Sequence, residues 1–250
     1  MSSPQASKRI LKELADAQSE AMRTSGIYYW CNESDFKKGM AMILGPEGTP
    51  YAHCAFVFSL EMPDNYPFSP PRVICITSDG KTRFHPNLYV DGKVCLSILG
   101  TWSGPAWSAV MNLSTVLSSI QSLLEANPIV NEPGYERLAL IPGSRAEAYA
   151  EVVRFRIVAH TLPRLLVWKQ KGHLPADWLP FQDVLDKIGD KMLNGCLNTI
   201  ENYTVSHMAV APLMTYPNVP YGMNGRVAWK DLAEYVSGLK LRPQPVDKDL

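Results

Sequence analysis

The residues best suited to chemistry lie in the segment His85–Ser108, which holds a single cysteine, Cys95, behind a turn sequence. Asp91-Gly92 is a typical two-residue hairpin signal, so we expect the chain to reverse there and to bring the side-chain amide of Asn87 towards the Cys95 sulfur. An N–H donor beside a thioester could stabilise the oxyanion that forms when an amine attacks it, and comparable donors contribute about 3 kcal/mol in other proteins. The pattern predicts an acyl-transfer site at Cys95.

Two other interpretations of the same residues are weaker. A cysteine hydrolase would need a base near the thiol, and His85 is the only histidine close to Cys95 in sequence. A histidine before proline in a turn more often fixes the loop by hydrogen bonds, and no third residue orients it. Alternatively, Cys95 is an inert core thiol, because Val94 and Leu96 are typical of a strand interior.

The segments before this site predict an antiparallel sheet. Four stretches rich in aromatic and β-branched residues are separated by turn signals, as in a meander. They are Ile27–Glu33, Lys38–Leu44, His53–Glu61 and Arg72–Thr77. An amphipathic helix over Ser7–Met22 comes first, and a helix from Leu113 to Leu124 follows an N-cap at Asn112. We expect this last helix to pack on the sheet.

The second half of the chain has mostly helical periodicity, and the polar turn Asn131–Gly134 predicts a domain boundary. The predicted helices are Ala146–Lys169, kinked or broken near Pro163, Phe181–Tyr203 and Trp229–Leu239. Arg242–Leu250 has the composition of a disordered tail. The predicted fold is α/β (α+β), with a four-stranded antiparallel sheet flanked by helices in residues 1–136 and a helical extension in residues 137–250.

Composition limits the functional class. The 250-residue chain carries 24 basic and 24 acidic side chains, so we expect no nucleic-acid or membrane partner held by bulk charge. The five cysteines are odd in number and lack zinc spacing, which favours reduced thiols and no metal site. No apolar run is long enough for a secretory signal or a membrane span. We therefore expect a soluble protein of the cytoplasm or the nucleus.

The order of the motifs carries a family resemblance. His85-Pro86-Asn87 precedes Cys95, Tyr66-Pro67-Phe68-x-Pro70-Pro71 lies upstream, and Trp107-Ser108 lies downstream. This arrangement resembles the core of a ubiquitin-conjugating enzyme over roughly residues 4–136. The long segment from Cys95 to Ser108, together with Asn127–Glu136, is most similar to the Z subfamily, which also carries a C-terminal extension.

The resemblance implies a reaction. Cys95 would accept ubiquitin or a ubiquitin-like protein from an activating enzyme as a thioester, and would transfer it to a substrate lysine or a ligase. Asn87 would stabilise the oxyanion or hold the active-site loop, with His85 and Pro86 as structural residues of that loop. Because one thioester replaces another, no protease-like base is needed. No cofactor is implied, since ATP is used by the activating enzyme only.

Glu132 is the candidate acid for the second step. An incoming lysine must lose a proton before it attacks, so a carboxylate near the thiol would help to desolvate or deprotonate it. The alternative for Glu132 is an ordinary solvated acid in a turn.

The resemblance also implies protein contacts. Lys8, Arg9 and Lys12 match the basic first helix that docks on the activating enzyme, although by themselves they would be a solvated helix face. Phe68 and Trp107-Ser108 match two loops that contact ligases. The sequence departs from the family at Ser97, where many members carry aspartate, so an acidic contribution from that position is absent. Trp107-Ser108-Ala109 replaces the family's usual Trp-Ser-Pro, and the loop from Cys95 to Trp107 is longer, which favours a different ligase specificity.

Two alternatives of another class stay open. A non-catalytic ubiquitin-binding module of the same fold normally lacks the cysteine, so the presence of both Asn87 and Cys95 argues against it. A pseudoenzyme would result if the C-terminal extension covered Cys95.

Overall fold

The computed structural model describes residues 4–208 and 214–239. Its centre is a four-stranded antiparallel sheet whose strands follow one another in chain order, as the sequence predicts. The strands are β1 (Ile27–Cys31), β2 (Lys38–Leu44), β3 (Ala55–Glu61) and β4 (Arg72–Cys75). Residues 55–58 of β3 are all fully buried. Because successive side chains point to opposite faces, both faces of this strand are covered.

Three of the four predicted strands are each two residues too long. The sequence prediction for β2 has the observed bounds, whereas β1 and β4 end earlier and β3 begins later than predicted. At the start of β3 the reason is local, because His53 has a φ of 65°, which lies in the left-handed region and cannot continue a strand.

The first predicted helix, Ser7–Met22, is wrong as a single element. The chain forms α1 (Pro4–Ala17) and a short α2 (Glu20–Thr24). Ser19 causes the separation, because its side chain accepts the backbone N–H of Met22 and so begins a new helix.

The helix behind Asn112 is confirmed as α3 (Leu113–Gln121), which ends three residues before the predicted Leu124. The Asn112 side chain accepts the backbone N–H of Thr115 at 2.8 Å, as expected for an N-cap. Its apolar face is buried, and the helix contacts β1, β2 and α1. This packing covers one face of the sheet.

The extension contains α4 (Arg145–Lys171), α5 (Gln182–Met208), α6 (Trp229–Gly238) and a small antiparallel pair, β5 (Met214–Thr215) with β6 (Arg226–Val227). Helix α4 continues through Pro163, so of the two predicted alternatives, a kink or a break, the break is wrong. Proline removes one helical hydrogen bond, and the neighbouring Leu162, Leu165 and Leu166, all buried, offset that cost. The β5–β6 pair has no counterpart in the sequence prediction.

The extension packs directly against the sheet domain. One continuous cluster of buried apolar residues includes Phe56 and Phe84 from the first part and Tyr149 and Leu162 from α4. A Cβ atom at Gly195 of α5 would lie 2.2 Å from the His53 ring, so the two parts are in close contact there. The boundary near residue 136 stays a prediction, and the proposed tail Arg242–Leu250 lies outside the described residues.

Across residues 4–208 and 214–239, we find no helix with both the length and the apolar character that a membrane span requires.

Candidate active site

The hairpin before Cys95 is present, with a longer loop than predicted. The Tyr89 N–H donates to the Lys93 carbonyl at 2.9 Å, which leaves three loop residues, Val90–Gly92, instead of two. Gly92 has a φ of 88°, typical of the last position in a three-residue hairpin loop. A Cβ there would also lie 2.7 Å from the Cys75 carbonyl oxygen, so the close approach to β4 requires glycine.

The hairpin joins Asn87 to Cys95. The backbone N–H of Cys95 donates to the Asn87 carbonyl at 2.8 Å. The side-chain Nδ2 of Asn87 donates to the Cys95 carbonyl at 2.7 Å, and Asn87 is buried. The amide therefore lies next to Cys95, as predicted, but its hydrogen bond is to the backbone oxygen of that residue and not to the sulfur.

His85 supports the same loop. Its Nδ1 accepts the backbone N–H of Asn87 at 2.9 Å, and the ring is completely buried. Burial, and then the charge of Arg83, lower the pKa of His85 to about 3. A neutral ring is the form that accepts this hydrogen bond. A general base works best when its pKa is near the operating pH, so this environment disfavours His85 as a hydrolase base.

The thiol of Cys95 is enclosed. Only 1% of the residue is exposed, and the sulfur forms no disulfide. The loop that follows is held by Thr101, whose Oγ1 accepts the Leu96 N–H at 3.0 Å and donates to the Val94 carbonyl at 2.7 Å. A reacting thioester could reach the sulfur only after the atoms that cover it have moved.

Glu132 lies directly after the 3-10 turn Pro128–Asn131 and contacts the extension. Its Oε2 accepts a hydrogen bond from the Tyr221 hydroxyl at 2.7 Å. Burial of Tyr221, and then this hydrogen bond, raise the pKa of its phenol, so the tyrosine remains the donor. Glu132, the candidate acid, is thus hydrogen-bonded to Tyr221 of the C-terminal extension, for which the sequence predicted no chemical role.

Arg83 links the extension to the active-site loop. Four residues contact Arg83: Tyr89, Tyr149, Tyr221 and Met223. The Arg83 guanidinium lies 3.8 Å from the Tyr89 ring centroid and 4.2 Å from that of Tyr221. Its backbone carbonyl accepts the Tyr149 hydroxyl at 2.7 Å, and its N–H donates to the Met223 sulfur at 3.3 Å.

The same guanidinium reaches the predicted site. Arg83 Nε donates to the Pro86 carbonyl at 3.1 Å, so Pro86 is held by a cation that the extension contacts. Sequence reasoning missed Arg83 and Tyr221. For Arg83, the only available signal was its place two residues before His85. Tyr221 lies in an irregular segment with no periodicity, so no local signal marked it.

The two predicted ligase loops are joined to each other. Trp107 Nε1 donates to the Pro67 carbonyl at 2.7 Å, and the Trp107 ring packs 6.0 Å from that of Tyr66. Phe68, which follows Pro67 in the chain, is 74% exposed, and Ser108, which follows Trp107, is exposed as well. Such exposure is unusual for a phenylalanine with a purely structural role.

The three basic residues of α1 differ in their surroundings. Lys8 and Lys12 are exposed. Arg9 instead forms an ion pair with the buried Glu13, and its Nη2 donates to the Met111 carbonyl at 3.0 Å. Arg9 therefore ties α1 to the loop before α3.

Glu13 belongs to the same network and also accepts the Tyr66 hydroxyl at 2.6 Å. Among the residues described, no group of three or more His, Cys, Asp or Glu side chains is arranged to hold a metal ion.

The antiparallel sheet, the hairpin and the paired Asn87 and Cys95 define a candidate thiol acyl-transfer site, and the comparisons with known proteins agree with it. The sequence model of the family described as "Ubiquitin-conjugating enzyme" matches residues 9–157. This chain belongs to the ubiquitin-conjugating enzyme family. The match continues beyond residue 136, where the sequence predicted a boundary.

Individual relatives agree with the predicted subfamily. Ubiquitin-conjugating enzyme E2 Z of Homo sapiens is 43% identical over 156 residues, which cover 62% of this chain and 43% of the relative. The protein of that name from Xenopus tropicalis is 51% identical over 113 residues, covering 45% and 36% of the two chains. The resemblance to the Z subfamily is confirmed. This chain spans less than half the length of these relatives.

Proposed function

We propose that this protein accepts ubiquitin or a ubiquitin-like protein from an activating enzyme as a thioester on Cys95, and transfers it to a substrate lysine or to a ligase. The observation that carries the proposal is the pair of hydrogen bonds between Asn87 and Cys95 at the base of the hairpin. Family membership supports the same chemistry.

The first step is an exchange of thioesters. The Cys95 thiolate attacks the carbonyl carbon of the incoming thioester, a new C–S bond forms, the old C–S bond breaks, and the cysteine of the activating enzyme leaves as a thiolate. The bond broken and the bond formed are of the same type, so the step needs no strong base. ATP is used by the activating enzyme only, and we propose that the protein works without a cofactor.

The second step makes an amide bond. A lysine amine attacks the thioester carbon, the C–S bond breaks, and Cys95 leaves as a thiolate. In this proposal the ammonium proton passes to the Glu132 carboxylate, and the Asn87 amide stabilises the oxyanion or holds the loop in place. The hydrogen bond of Asn87 to the Cys95 carbonyl favours the loop-holding role in the conformation described.

The proposed partners follow from the exposed surfaces. Lys8 and Lys12 would contact the activating enzyme, with Arg9 orienting their helix. The exposed Phe68 and Ser108, together with the partly buried Trp107, would contact a ligase. The proposal includes neither a nucleic-acid nor a membrane partner. It places the protein in the cytoplasm, and also in the nucleus, where the thiol stays reduced.

A charging assay tests this proposal. The protein is mixed with ATP, ubiquitin or a ubiquitin-like protein, and each of a panel of activating enzymes, and the products are separated on a non-reducing gel. We expect an adduct that thiol removes, that Cys95→Ala abolishes, and that Cys95→Ser converts into a thiol-resistant oxyester. Cys31→Ala is the matched control, because Cys31 is a partly exposed thiol at the end of β1. The absence of an adduct with every activating enzyme and modifier would contradict the proposal.

The burial of Cys95 favours a second candidate, a non-catalytic ubiquitin-binding protein. A sulfur of which so little is exposed cannot meet a thioester unless the loop opens. This candidate predicts ubiquitin binding of equal affinity in the parent protein and in Cys95→Ala, with no charging in either.

A further inference from the structure

Tyr221 occupies an unusual position between two parts of the candidate site. Its hydroxyl donates to Glu132 at 2.7 Å, while its ring lies 4.2 Å from the Arg83 guanidinium. Arg83 in turn donates to the carbonyl of Pro86, next to Asn87. One side chain of the extension therefore contacts both the candidate acid and the cation that supports the active-site loop.

The backbone around Tyr221 is held firmly. Tyr221 is a non-glycine residue with a φ of 64°, a strained conformation that persists only where the surroundings impose it. Val219 and Pro220 are buried beside it. A Cβ at Gly225 would lie 2.0 Å from the Tyr216 carbonyl oxygen, so the two sides of this segment touch closely. A tyrosine held in this way is able to orient a partner.

Glu132 needs such a partner. It is only partly buried and lies in a connection between a short 3-10 turn and an exposed Pro133-Gly134 pair. A glutamate in a free turn samples many rotamers, and ordering it costs conformational entropy. A hydrogen bond from a fixed phenol selects among those rotamers before the substrate arrives.

We propose that Tyr221 is a positioning residue for lysine transfer, which holds the Glu132 carboxylate in place and, through Arg83, supports the loop of Pro86 and Asn87. The inference rests on the proposed function, and it gives the C-terminal extension a direct part in the second step. Tyr221 itself touches no reacting atom. The first step needs no carboxylate, so it does not depend on the Tyr221 hydroxyl, which within the described part of the chain hydrogen-bonds to Glu132 only.

Tyr221→Phe tests the proposal, because it removes the hydroxyl and keeps the ring beside Arg83. The charged enzyme is isolated and its discharge is followed with three acceptors: free lysine, hydroxylamine and a small thiol. Lysine must lose a proton to attack, whereas hydroxylamine is already neutral near pH 7. We expect discharge to lysine to slow about tenfold. Charging, and discharge to the other two acceptors, should stay within about twofold of the parent protein.

Two further variants separate positioning from general structure. Tyr216→Phe is the matched control, since it removes a hydroxyl from the same segment of the extension. The Tyr216 hydroxyl lies near Glu147 and Glu151 and not near Glu132. Glu132→Gln keeps an acceptor for Tyr221 but cannot take a proton, and we expect it to slow lysine discharge about 100-fold. In a protein that already carries Glu132→Gln, Tyr221→Phe should slow lysine discharge little further, because both changes remove the function of the same Glu132–Tyr221 pair.

The outcomes are distinct. Equal lysine discharge by Tyr221→Phe and the parent protein would overturn the inference while leaving the proposed function intact. Equal slowing towards all three acceptors would also overturn it, since that pattern indicates a structural defect. Failure of the parent protein to charge would instead overturn the proposed function. The Tm of each variant shows that the compared proteins are folded.

Discussion

The side-chain Nδ2 of Asn87 donates to the carbonyl oxygen of Cys95 at 2.7 Å, and the Cys95 N–H donates back to the Asn87 carbonyl at 2.8 Å. These two bonds connect residues eight positions apart. In this conformation the amide satisfies a backbone oxygen of the residue that carries the thiol. The arrangement makes the geometry of the thiol depend on the amide, whichever role Asn87 has in catalysis.

Asn87→Ala should therefore lower stability as well as activity. It leaves a backbone oxygen without its donor, and we expect the free energy of unfolding to fall by about 1–3 kcal/mol in urea titrations. Asn65→Ala is a matched control, because that amide is exposed and should cost less than about 0.5 kcal/mol. An Asn87→Ala protein of full stability but slow lysine discharge would contradict the loop-holding role and favour the oxyanion role.

The first helix predicts different effects for its basic residues. Arg9→Ala leaves the buried Glu13 without its cation, so we expect a stability loss of roughly 1–2 kcal/mol, reduced by the partial exposure of Arg9. Lys12→Ala removes an exposed charge and should leave the Tm unchanged while slowing charging, most strongly at low salt. If Lys12→Ala is charged as fast as the parent protein at every salt concentration, Lys12 does not contribute to the encounter with the activating enzyme.

The two loops predicted to contact a ligase allow an effect on binding to be separated from an effect on stability. Phe68 is 74% exposed, so Phe68→Ala should keep the Tm of the parent while weakening ligase binding in a titration of a labelled ligase domain. Trp107→Phe removes the hydrogen bond to the Pro67 carbonyl and should lower the free energy of unfolding by about 1 kcal/mol. A large stability loss in Phe68→Ala would show that the ring is structural after all.

Acid should destabilise the fold through His85. Its pKa is lowered from 6.5 to about 3 by burial. Between these two values the unfolded chain binds a proton that the folded chain does not, so this stability is complete above the unfolded pKa and is lost as pH falls towards the folded one. At about pH 5 the loss should be about 2 kcal/mol relative to about pH 7.5.

Urea titrations at both pH values measure this loss. His85→Asn can still accept the Asn87 N–H but does not titrate, so its stability should change less with pH. His160, whose pKa burial lowers to about 4, contributes in the same direction and remains in the variant. An unchanged pH dependence in His85→Asn would contradict the assignment to His85.

Local signals in the sequence were sufficient for much of the fold. The strand Lys38–Leu44 and the N-cap at Asn112 depend on side-chain type and periodicity within a few residues, and both have the predicted form. The approach of Asn87 to Cys95 also followed from the glycine turn between them. The prediction was wrong at Ser19, because its side chain caps a new helix there and so ends the continuous helix. It was also wrong at Pro163, because packing outweighed the tendency of proline to break a helix.

By itself, the sequence determined the family, the sheet order and the thiol with its neighbouring amide. Only the tertiary structure decided that Tyr221 holds Glu132, two residues that are 89 positions apart. It also decided that Arg83 lies between Tyr89 and Tyr221. The physical reason is that periodicity and turn chemistry act over one or two turns of the chain, whereas these contacts arise when the extension buries its apolar faces against the sheet domain.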